Sequence, residues 1–388
     1  MRASPLNVPA ASWRLQGEFE MFGDAVGQFC ERELVPNWER WSKQGCVDRD
    51  VWRKAAEAGI LMASTPAEFG GAGGDFRHEA VIIEQFGRRG LDNFAVTLQN
   101  AIVGPYLNHF ASEAQKRSIL PRMASGDLIG AIAMTEPGAG SDLKNIKATA
   151  RRDGGHYVIN GQKTFITSGM SANMILVCVK TDSTAGARGI SLVIVETDEV
   201  EGFSRGRKLD KIGQSAQDTG ELFFNDVRVP VSALLGPKEG EGFGQLMAML
   251  PQERHIIGLQ AISMIERALS ETIAYVKERK AFGGTLLDFQ NTQFKLAEAK
   301  TEATVGKIFA EHCTERLLRG ELDAATASMS KYWLSDLQCK IVDDCLQLFG
   351  GYGYMNEYPI AQMYKDARIQ RIYGGANEVM KVLIARTL

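Results

Sequence analysis

The sequence predicts an α+β protein of several domains, with an N-terminal helical domain, a small central antiparallel β barrel or sandwich, and a C-terminal helical bundle. Three observations lead to this fold class. Apolar residues recur at helical spacing in the first third of the 388-residue chain, short β-branched runs fill the middle, and helical spacing returns afterwards. These changes of period place the domains at residues 1–127, 128–240 and 241–388.

In the N-terminal domain, Phe19, Phe22, Val26 and Phe29 recur every three or four residues, as on one face of an amphipathic helix. Three further segments have the same spacing, at residues 51–62, 78–88 and 95–110. A turn-forming stretch at residues 124–127 marks the predicted end of this domain.

The central domain has the patterns of strands. Residues 156–167 predict a β-hairpin with its turn at Asn160-Gly161, because Asn-Gly favours the tight turns that join antiparallel strands. Pro230 is expected to end the last strand, since proline cannot donate a ladder hydrogen bond. Three apolar, β-branched runs predict further strands, at residues 175–179, 190–195 and 222–229.

The C-terminal domain is predicted to be a bundle of long helices. From Gly242 onward, Ile257, Ala261 and Ile265 mark one face of the first helix. Further helical segments follow at residues 291–318, 322–349 and within 358–388. Helices before and after a β domain predict an α domain, a β domain and an α bundle in that order.

Composition excludes several classes of function. Lys and Arg number 44 against 47 Asp and Glu, and this net charge of −3 gives no indication of nucleic-acid binding. No segment is apolar enough to span a membrane, and five scattered histidines form no metal-binding pattern. Six cysteines without C-x-x-C spacing are typical of reduced thiols. The N-terminus lacks the apolar core of a secretory signal, so we expect a cytoplasmic protein, or a mitochondrial-matrix protein if this is a mature eukaryotic form.

The most informative stretch is residues 131–142, where a short apolar run enters a glycine-rich loop. Gly138 and Gly140 leave the backbone open to a ligand, and Thr135 and Ser141 place hydroxyl groups at the two ends. Such a loop can turn several N–H groups toward an anion or the polar edge of a ring. An ordinary turn after a strand is the alternative for so short a motif.

As an ungapped block, residues 131–142 resemble the flavin-binding segment of the acyl-CoA dehydrogenase family, and residues 165–167 resemble its second flavin segment. The resemblance covers nearly the whole chain and is strongest to the long-chain group. It implies that Phe165 and Thr167 lie against the isoalloxazine, with the threonine hydroxyl near N5. Burial in the hairpin core is the alternative for Phe165.

Two C-terminal segments resemble parts of the family that reach the FAD of a neighbouring subunit. The first, residues 278–290, contains Arg279, whose guanidinium can fork two phosphate oxygens, and the second is residues 347–351. A cation that stabilises a helix C-terminus is the alternative for Arg279. The resemblance implies FAD sites between subunits of a homotetramer built as a dimer of dimers.

Residue by residue, the resemblance implies two sets of ligand contacts. The residues implied to contact FAD are Ile132, Met134, Thr135, Gly140, Ser141, Phe165, Ile166, Thr167, Arg279, Phe282, Gln290, Gln347, Gly350, Gly351, Ala376, Asn377 and Glu378. Contacts to the acyl-CoA substrate fall to Ser141, Arg188, Pro251, Arg254, Gly374 and Gly375.

The position of the catalytic base departs from the commoner family pattern. Most members carry a glutamate directly after the tyrosine that matches Tyr373, but this chain has Gly374 there. Long-chain and isovaleryl members carry the base on a helix instead, and residues 250–254 resemble that segment. The resemblance implies that Glu253 is the base and that the Gly374 N–H polarises the thioester carbonyl. The alternatives are a first-turn acid for Glu253, favoured by the helix dipole, and a surface ion pair for Arg254.

The function implied is that of an FAD-dependent acyl-CoA dehydrogenase, as in fatty acid β-oxidation. Glu253 would remove the α proton, flavin N5 would take the β hydride, and a trans-2-enoyl-CoA would form. Electrons would then pass to an electron-transfer flavoprotein. Two alternatives remain, a flavin- or acyl-CoA-binding homologue without catalysis, suggested by Gly374, and an oxidase. The length and branching of the acyl chain are left open.

Overall fold

The structure is a computed structural model that describes residues 4–6, 8 and 11–388. Residues 1–3, on which the predicted start of the first domain and part of the search for a signal sequence fall, lie outside the described residues. The N-terminal region is helical, as predicted. Its helices are α1 (Gly17–Phe29), α2 (Trp38–Gln44), α3 (Asp50–Glu57), α4 (Phe76–Gly87), α5 (Val96–Leu98), α6 (Gly104–Phe110) and α7 (Glu113–Ala124).

Local side chains start two of these helices. The Asp75 carboxylate accepts the Arg77 N–H at the start of α4, and the Ser112 hydroxyl accepts the Gln115 N–H at the start of α7. Each of these bonds satisfies a backbone donor that the first turn of a helix leaves without a partner. Between α5 and α6, Gln99–Val103 forms a π-helical turn.

The central region is a curled sheet of seven strands. These are β1 (Gly130–Ala133), β2 (Thr149–Asp153), β3 (His156–Thr167), β4 (Met174–Lys180), β5 (Ile190–Glu196), β6 (Phe203–Lys208) and β7 (Thr219–Pro230). They pair in the order β1-β4-β2-β3-β7-β6, and β5 also pairs with β4. The sheet is mixed rather than wholly antiparallel. The β2–β3 hairpin separates β1 from β4 in the chain, so β4 can return in the same direction as β1 and pair with it in parallel.

The predicted hairpin turn at Asn160-Gly161 is wrong. Strand β3 runs unbroken through both residues, and the turn lies earlier, at residues 154–155 between β2 and β3. Gly161 lies at a bulge in the β3–β7 pairing, where an added Cβ would be 2.6 Å from the Cβ of Ala148. The glycine is therefore required for close approach of the backbone rather than for a turn.

The C-terminal region is a helical bundle with one small β ladder. Its elements are α8 (Gly242–Glu278), β8 (Lys280–Ala281), β9 (Gly284–Thr285), α9 (Gln290–Leu318), α10 (Ala324–Phe349), α11 (Pro359–Ala367) and α12 (Asn377–Ala385). Helix α8 packs against α4, α9 and α10, so one apolar core joins the two helical regions. None of the helices in the described part of the chain is long and apolar enough to cross a membrane.

The predicted order of helices, strands and helices is confirmed, whereas the exact division after residues 127 and 240 remains a prediction.

Candidate active site

The loop after β1 is anchored by a buried carboxylate. Glu136 accepts hydrogen bonds from the N–H groups of Lys147 and Ala148 and from the Lys163 ammonium, at 2.6–3.0 Å. Burial favours the protonated acid, but these donors and the lysine charge outweigh it and hold the pKa of Glu136 below its usual value. Glu136 and Ala139 also exchange two backbone hydrogen bonds around the tip. These hydrogen bonds hold the loop at Glu136, and Gly140 is exposed.

The two predicted flavin segments lie side by side. Lys163 donates from β3 to the Met134 carbonyl at 3.0 Å, and the Thr164 N–H donates to the Thr135 carbonyl at 2.9 Å. Ile132 lies half-buried in β1, and Ser141 is exposed at the far end of the loop. The structure thus brings the residues predicted from both segments to one edge of the sheet.

Phe165 is exposed and has an unusual backbone conformation. The side chain is 68% exposed, so burial in a hairpin core is the wrong explanation for this residue. Its φ of +58° falls in the left-handed region, at an irregularity in the β3–β7 register. Such a conformation costs free energy for a bulky residue, and it is concentrated at ligand sites. Ile166 is buried beside it, and Thr167 is half-buried at the strand end.

Glu253 is a buried carboxylate in α8. The helix begins at Gly242, so Glu253 lies well past the first turn, and the explanation by the helix dipole is wrong. Its Oε1 accepts the hydroxyl of Tyr106 at 2.7 Å. Burial raises the pKa of Glu253 from 4.5 to about 7, although the Tyr106 hydrogen bond and the Arg254 charge both oppose this. A carboxylate with this pKa can exchange a proton near neutral pH.

Arg254 and Pro251, on either side of Glu253, also lie within α8. Arg254 is 6% exposed and donates to the Ser328 hydroxyl at 3.4 Å, so the alternative of a surface ion pair is wrong. Its Nε is buried and has no hydrogen-bond partner among the described residues. Pro251 lies inside the helix, where it removes one backbone hydrogen bond just before the carboxylate.

The loop at Gly374 and Gly375 approaches α8 through Gly374. Their φ values are +65° and +96°, a region that glycine occupies without strain. An added Cβ at Gly374 would overlap the Cδ1 of Ile257, which lies one turn after Glu253 on the same helix face. Within the described part of the chain, the N–H groups of both glycines donate to no acceptor. The described part of the chain therefore leaves two donors unused in this loop, and Gly374 lies beside the turn of α8 that follows Glu253.

Lys331 holds this loop in place. Its buried ammonium donates to the Gly375 carbonyl and to Asn377 Oδ1, each at 2.7 Å. The Asn377 amide nitrogen donates to the Tyr332 carbonyl and the Ser335 hydroxyl. The Asn377 side chain is thus engaged within its own chain, which leaves only its backbone for a cofactor contact. Burial lowers the pKa of Lys331 to about 8. On either side of Asn377, Ala376 is half-buried before α12 and Glu378 is exposed in its first turn.

A cleft of about 460 Å³ lies beside the first turn of α8, lined by Arg188, Phe243 and Phe110 among others. Arg188 is exposed at its rim. The Lys144 ammonium lies 5.7 Å from the centre of the Phe243 ring, which connects the loop containing Ser141 to this cleft. The cleft therefore has largely apolar walls, two nearby cations and one carboxylate, that of Glu241.

The remaining predicted residues lie far from Glu253. Arg279 follows the last residue of α8, about 39 Å along the helix from Glu253 at 1.5 Å per residue. The guanidinium lies 5.5 Å from the centre of the Tyr352 ring, and Phe282 is 98% exposed at the tip of the β8–β9 ladder. The other members of this group are also exposed, namely Gln290, Gln347, Gly350 and Gly351. The predicted cofactor residues thus form two separate groups in one chain.

Three residues important to the site were missed from sequence, namely Tyr106, Lys163 and Lys331. Lys163 lies in a predicted strand and Lys331 in a predicted helix, and neither lysine was expected to be buried. A buried lysine requires a partner, but no local pattern indicated which residues these two would contact. Tyr106 lies 147 residues from Glu253, and no local pattern indicates their contact. In the part of the chain that the structure describes, no group of three or more His, Cys, Asp or Glu could hold a metal ion.

Family models match nearly the whole chain. The N-terminal, middle and C-terminal domain models of acyl-CoA dehydrogenase match residues 16–127, 131–227 and 240–388. A long-chain specific acyl-CoA dehydrogenase, mitochondrial, from Sus scrofa is 46% identical over 373 residues, which cover 96% of this chain and 86% of the relative.

Solved structures agree with these matches. An acyl-CoA dehydrogenase from Geobacillus kaustophilus superposes with a TM-score of 0.95 at 44% identity, over 97% of this chain and 99% of its own. A glutaryl-CoA dehydrogenase from Mycobacterium smegmatis in complex with FADH2 superposes with a TM-score of 0.91 at 28% identity, over 100% and 98%.

The raised pKa of Glu253 predicts a pH-dependent stability. Between pH 4.5 and 7 the folded chain retains a proton that the unfolded chain has lost, so the free energy of unfolding falls as the pH rises. Glu253→Gln removes this loss. The free energy of unfolding of the variant minus that of wild type should therefore increase by roughly 2–3 kcal/mol from pH 5 to pH 8. Thermal unfolding at both pH values measures this, with the exposed Glu199→Gln as the control. An equal difference at both pH values would contradict the prediction.

Proposed function

The chain belongs to the acyl-CoA dehydrogenase family, and on that premise we propose that it oxidises the α–β bond of an acyl-CoA thioester with Glu253 as the base. One observation carries this assignment. Gly374 has no side chain that could act as a base, whereas Glu253, a buried carboxylate with a pKa of about 7, lies one turn before the residue of α8 that Gly374 contacts.

The residues of this chain fit FAD, the cofactor of the family. Phe165 presents an exposed aromatic face from a strained backbone position, and Gly138 is open, with no atom within 4 Å of an added Cβ. Thr135, Ser141 and Thr167 add hydroxyl groups at the same edge. These residues would hold the ring end of FAD. When bound, FAD supplies the acceptor for the hydride that leaves the β carbon.

Glu253 is suited to removing the α proton. The α proton of a thioester is weakly acidic, so its removal requires a base whose pKa is close to the operating pH. Burial supplies that pKa, because the apolar surroundings favour the neutral acid that forms when the proton arrives. The Gly374 N–H, which has no acceptor among the described residues, would stabilise the negative charge that develops on the thioester oxygen. Side-chain and backbone roles are thus divided between two segments.

For the substrate we propose a long-chain acyl-CoA. The support is the 46% identity to a relative named as long-chain specific. The cleft beside α8 would take the CoA portion, because Arg188 and Lys144 are cations near apolar walls and CoA carries phosphates. An electron-transfer flavoprotein is the proposed electron acceptor. The six free cysteines support a reducing compartment, the cytoplasm or a mitochondrial matrix.

For the assembly we propose a homotetramer built as a dimer of dimers. Arg279 cannot reach a cofactor whose ring end lies near Glu253 of the same chain, because about 39 Å of helix separates them. Phe282 and Tyr354, 98% and 83% exposed, lie in the same region as Arg279 and give it an apolar surface. A second copy of the chain would cover these residues, and Arg279 would then bind the phosphates of that copy's FAD.

The first prediction from this proposal concerns the reaction. Acyl-CoA should bleach the flavin of the anaerobic wild-type protein, and fastest with long straight chains in a panel that includes short and branched ones. Glu253→Gln should slow flavin reduction by roughly 10²–10⁴-fold while FAD content is unchanged. Near-normal reduction in this variant would exclude Glu253 as the base. Protein that holds FAD and binds acyl-CoA but never bleaches would support a non-catalytic homologue, and rapid oxygen uptake would support an oxidase.

The second prediction tests whether positions 253 and 374 address one carbon atom. In a Glu253→Gln background, Gly374→Glu should restore flavin reduction if Ile257→Val removes the methyl group that the new side chain would overlap. Recovery of about tenfold over the Glu253→Gln, Ile257→Val double variant is expected, because strain and misplacement limit the new base. Gly374→Gln in the same background is the matched control, since it adds the bulk without the base. No recovery, with acyl-CoA still bound, would show that position 374 does not face the α proton.

The third prediction concerns assembly. Arg279→Ala should lower the FAD content per chain and weaken the oligomer, because the guanidinium is proposed to serve a neighbouring subunit. Arg319→Ala is the matched control, since Arg319 follows the end of α9 as Arg279 follows the end of α8, and it is also exposed. Absorbance ratios and sedimentation measure the two effects. An Arg279→Ala protein with full FAD and unchanged sedimentation would contradict the interface proposal.

A further inference from the structure

A tyrosine from the N-terminal region contacts the proposed base. Tyr106 lies in α6, is fully buried, and donates its hydroxyl to Glu253 Oε1 at 2.7 Å. Burial, followed by the negative charge of Glu253, raises the pKa of the Tyr106 hydroxyl, so the group stays protonated and acts as the donor. The two residues are 147 positions apart in sequence, and their hydrogen bond joins the two helical regions of the fold.

The contact leaves the carboxylate half satisfied. Within residues 4–6, 8 and 11–388, Tyr106 is the one group that donates a hydrogen bond to Glu253. One oxygen is therefore held, and the other is left to accept a proton. The charged or titratable groups that influence Glu253 are Tyr106 on α6 and Arg254 on α8, and both favour the ionised carboxylate.

The backbone around Tyr106 fixes its position. A second bond joins the same two segments, because the Gln252 amide donates to the Ala101 carbonyl at 2.7 Å. Ala101 lies in the π-helical turn that precedes α6. A π turn adds a residue to the helix, so it sets the direction in which the following side chains leave the axis, and such turns are frequent at functional sites. The two bonds together join α6 and the turn before it to α8.

We propose that Tyr106 is a positioning residue that orients the Glu253 carboxylate for removal of the α proton and favours its ionised form. This inference rests on the proposed function of Glu253. A purely structural role is the competing explanation, since an aromatic ring of this size also fills the core. The two explanations differ in what Tyr106→Phe does, because phenylalanine keeps the ring and removes only the donor.

The test compares Tyr106→Phe with Tyr157→Phe in the holoenzyme. Tyr157 also donates to a glutamate, Glu239 Oε1, at 2.7 Å, but lies in β3. Tyr106→Phe should move the acid limb of the kcat/KM pH profile upward by about one unit, because a lost hydrogen bond to the charged form raises the pKa of Glu253. At pH 6 this is a loss of roughly tenfold, smaller at pH 8, with kcat affected more than KM. Tyr157→Phe should leave the profile unchanged.

A second measurement does not depend on catalysis. The pH dependence of thermal unfolding should become steeper between pH 7 and 8 in Tyr106→Phe, since the folded chain then keeps the Glu253 proton to higher pH. The same change should have no such effect in a Glu253→Gln background. Shifts in both kinetics and unfolding support the proposal. Two unshifted profiles, together with an inactive Glu253→Gln, overturn the Tyr106 proposal alone. A shift in unfolding without a kinetic shift shows that Glu253 is not the base and overturns the proposed function.

Discussion

A single carboxylate buried between two helical regions is the constraint on which the site depends. Burial of Glu253, where α8 packs against the N-terminal helices, raises the pKa of its carboxyl group to about 7. Burial of apolar side chains in the core that α8 shares with α4, α9 and α10 offsets the free-energy cost of burying this carboxylate. In the proposed mechanism the N-terminal helical region therefore takes part in the chemistry, since it both desolvates the carboxylate and donates the Tyr106 hydroxyl.

The proposed division of roles between Glu253 and Gly374 is compatible with the geometry. A helix face and a facing loop can address one carbon atom from two directions, so a side chain can be lost from one position if another supplies it. The backbone donor cannot be relocated so easily, because its direction is set by the loop conformation. Here the loop has two positive φ angles, and the carbonyl of Gly375 is held by Lys331. Among the described residues, no acceptor takes the N–H groups of Gly374 and Gly375.

The sequence predicted the helices and strands that local periodicity determines, but it did not predict contacts between residues that are distant in the chain. Helices α1, α4, α8, α9 and α10 were all predicted from the helical spacing of their residues, and the apolar faces of α1 and α4 are the clearest. Strands β2 and β6 were missed because both carry several charged residues and lack an apolar run. Gly161 was misinterpreted as a turn residue, since spacing alone cannot separate a turn from a bulge. The motifs led to the site residues, but their grouping, the exposure of Phe165 and the Tyr106 contact required three-dimensional packing.

The most direct test of the account measures proton removal without hydride transfer. An acyl-CoA analogue with sulphur in place of the β carbon has an α proton but no β hydride to lose, so α exchange in D2O, followed by mass spectrometry, reports on the base alone. The account predicts rapid deuterium incorporation by wild type and incorporation slower by about 100-fold or more with Glu253→Gln. Exchange at the wild-type rate in that variant would contradict the central claim that Glu253 is the base.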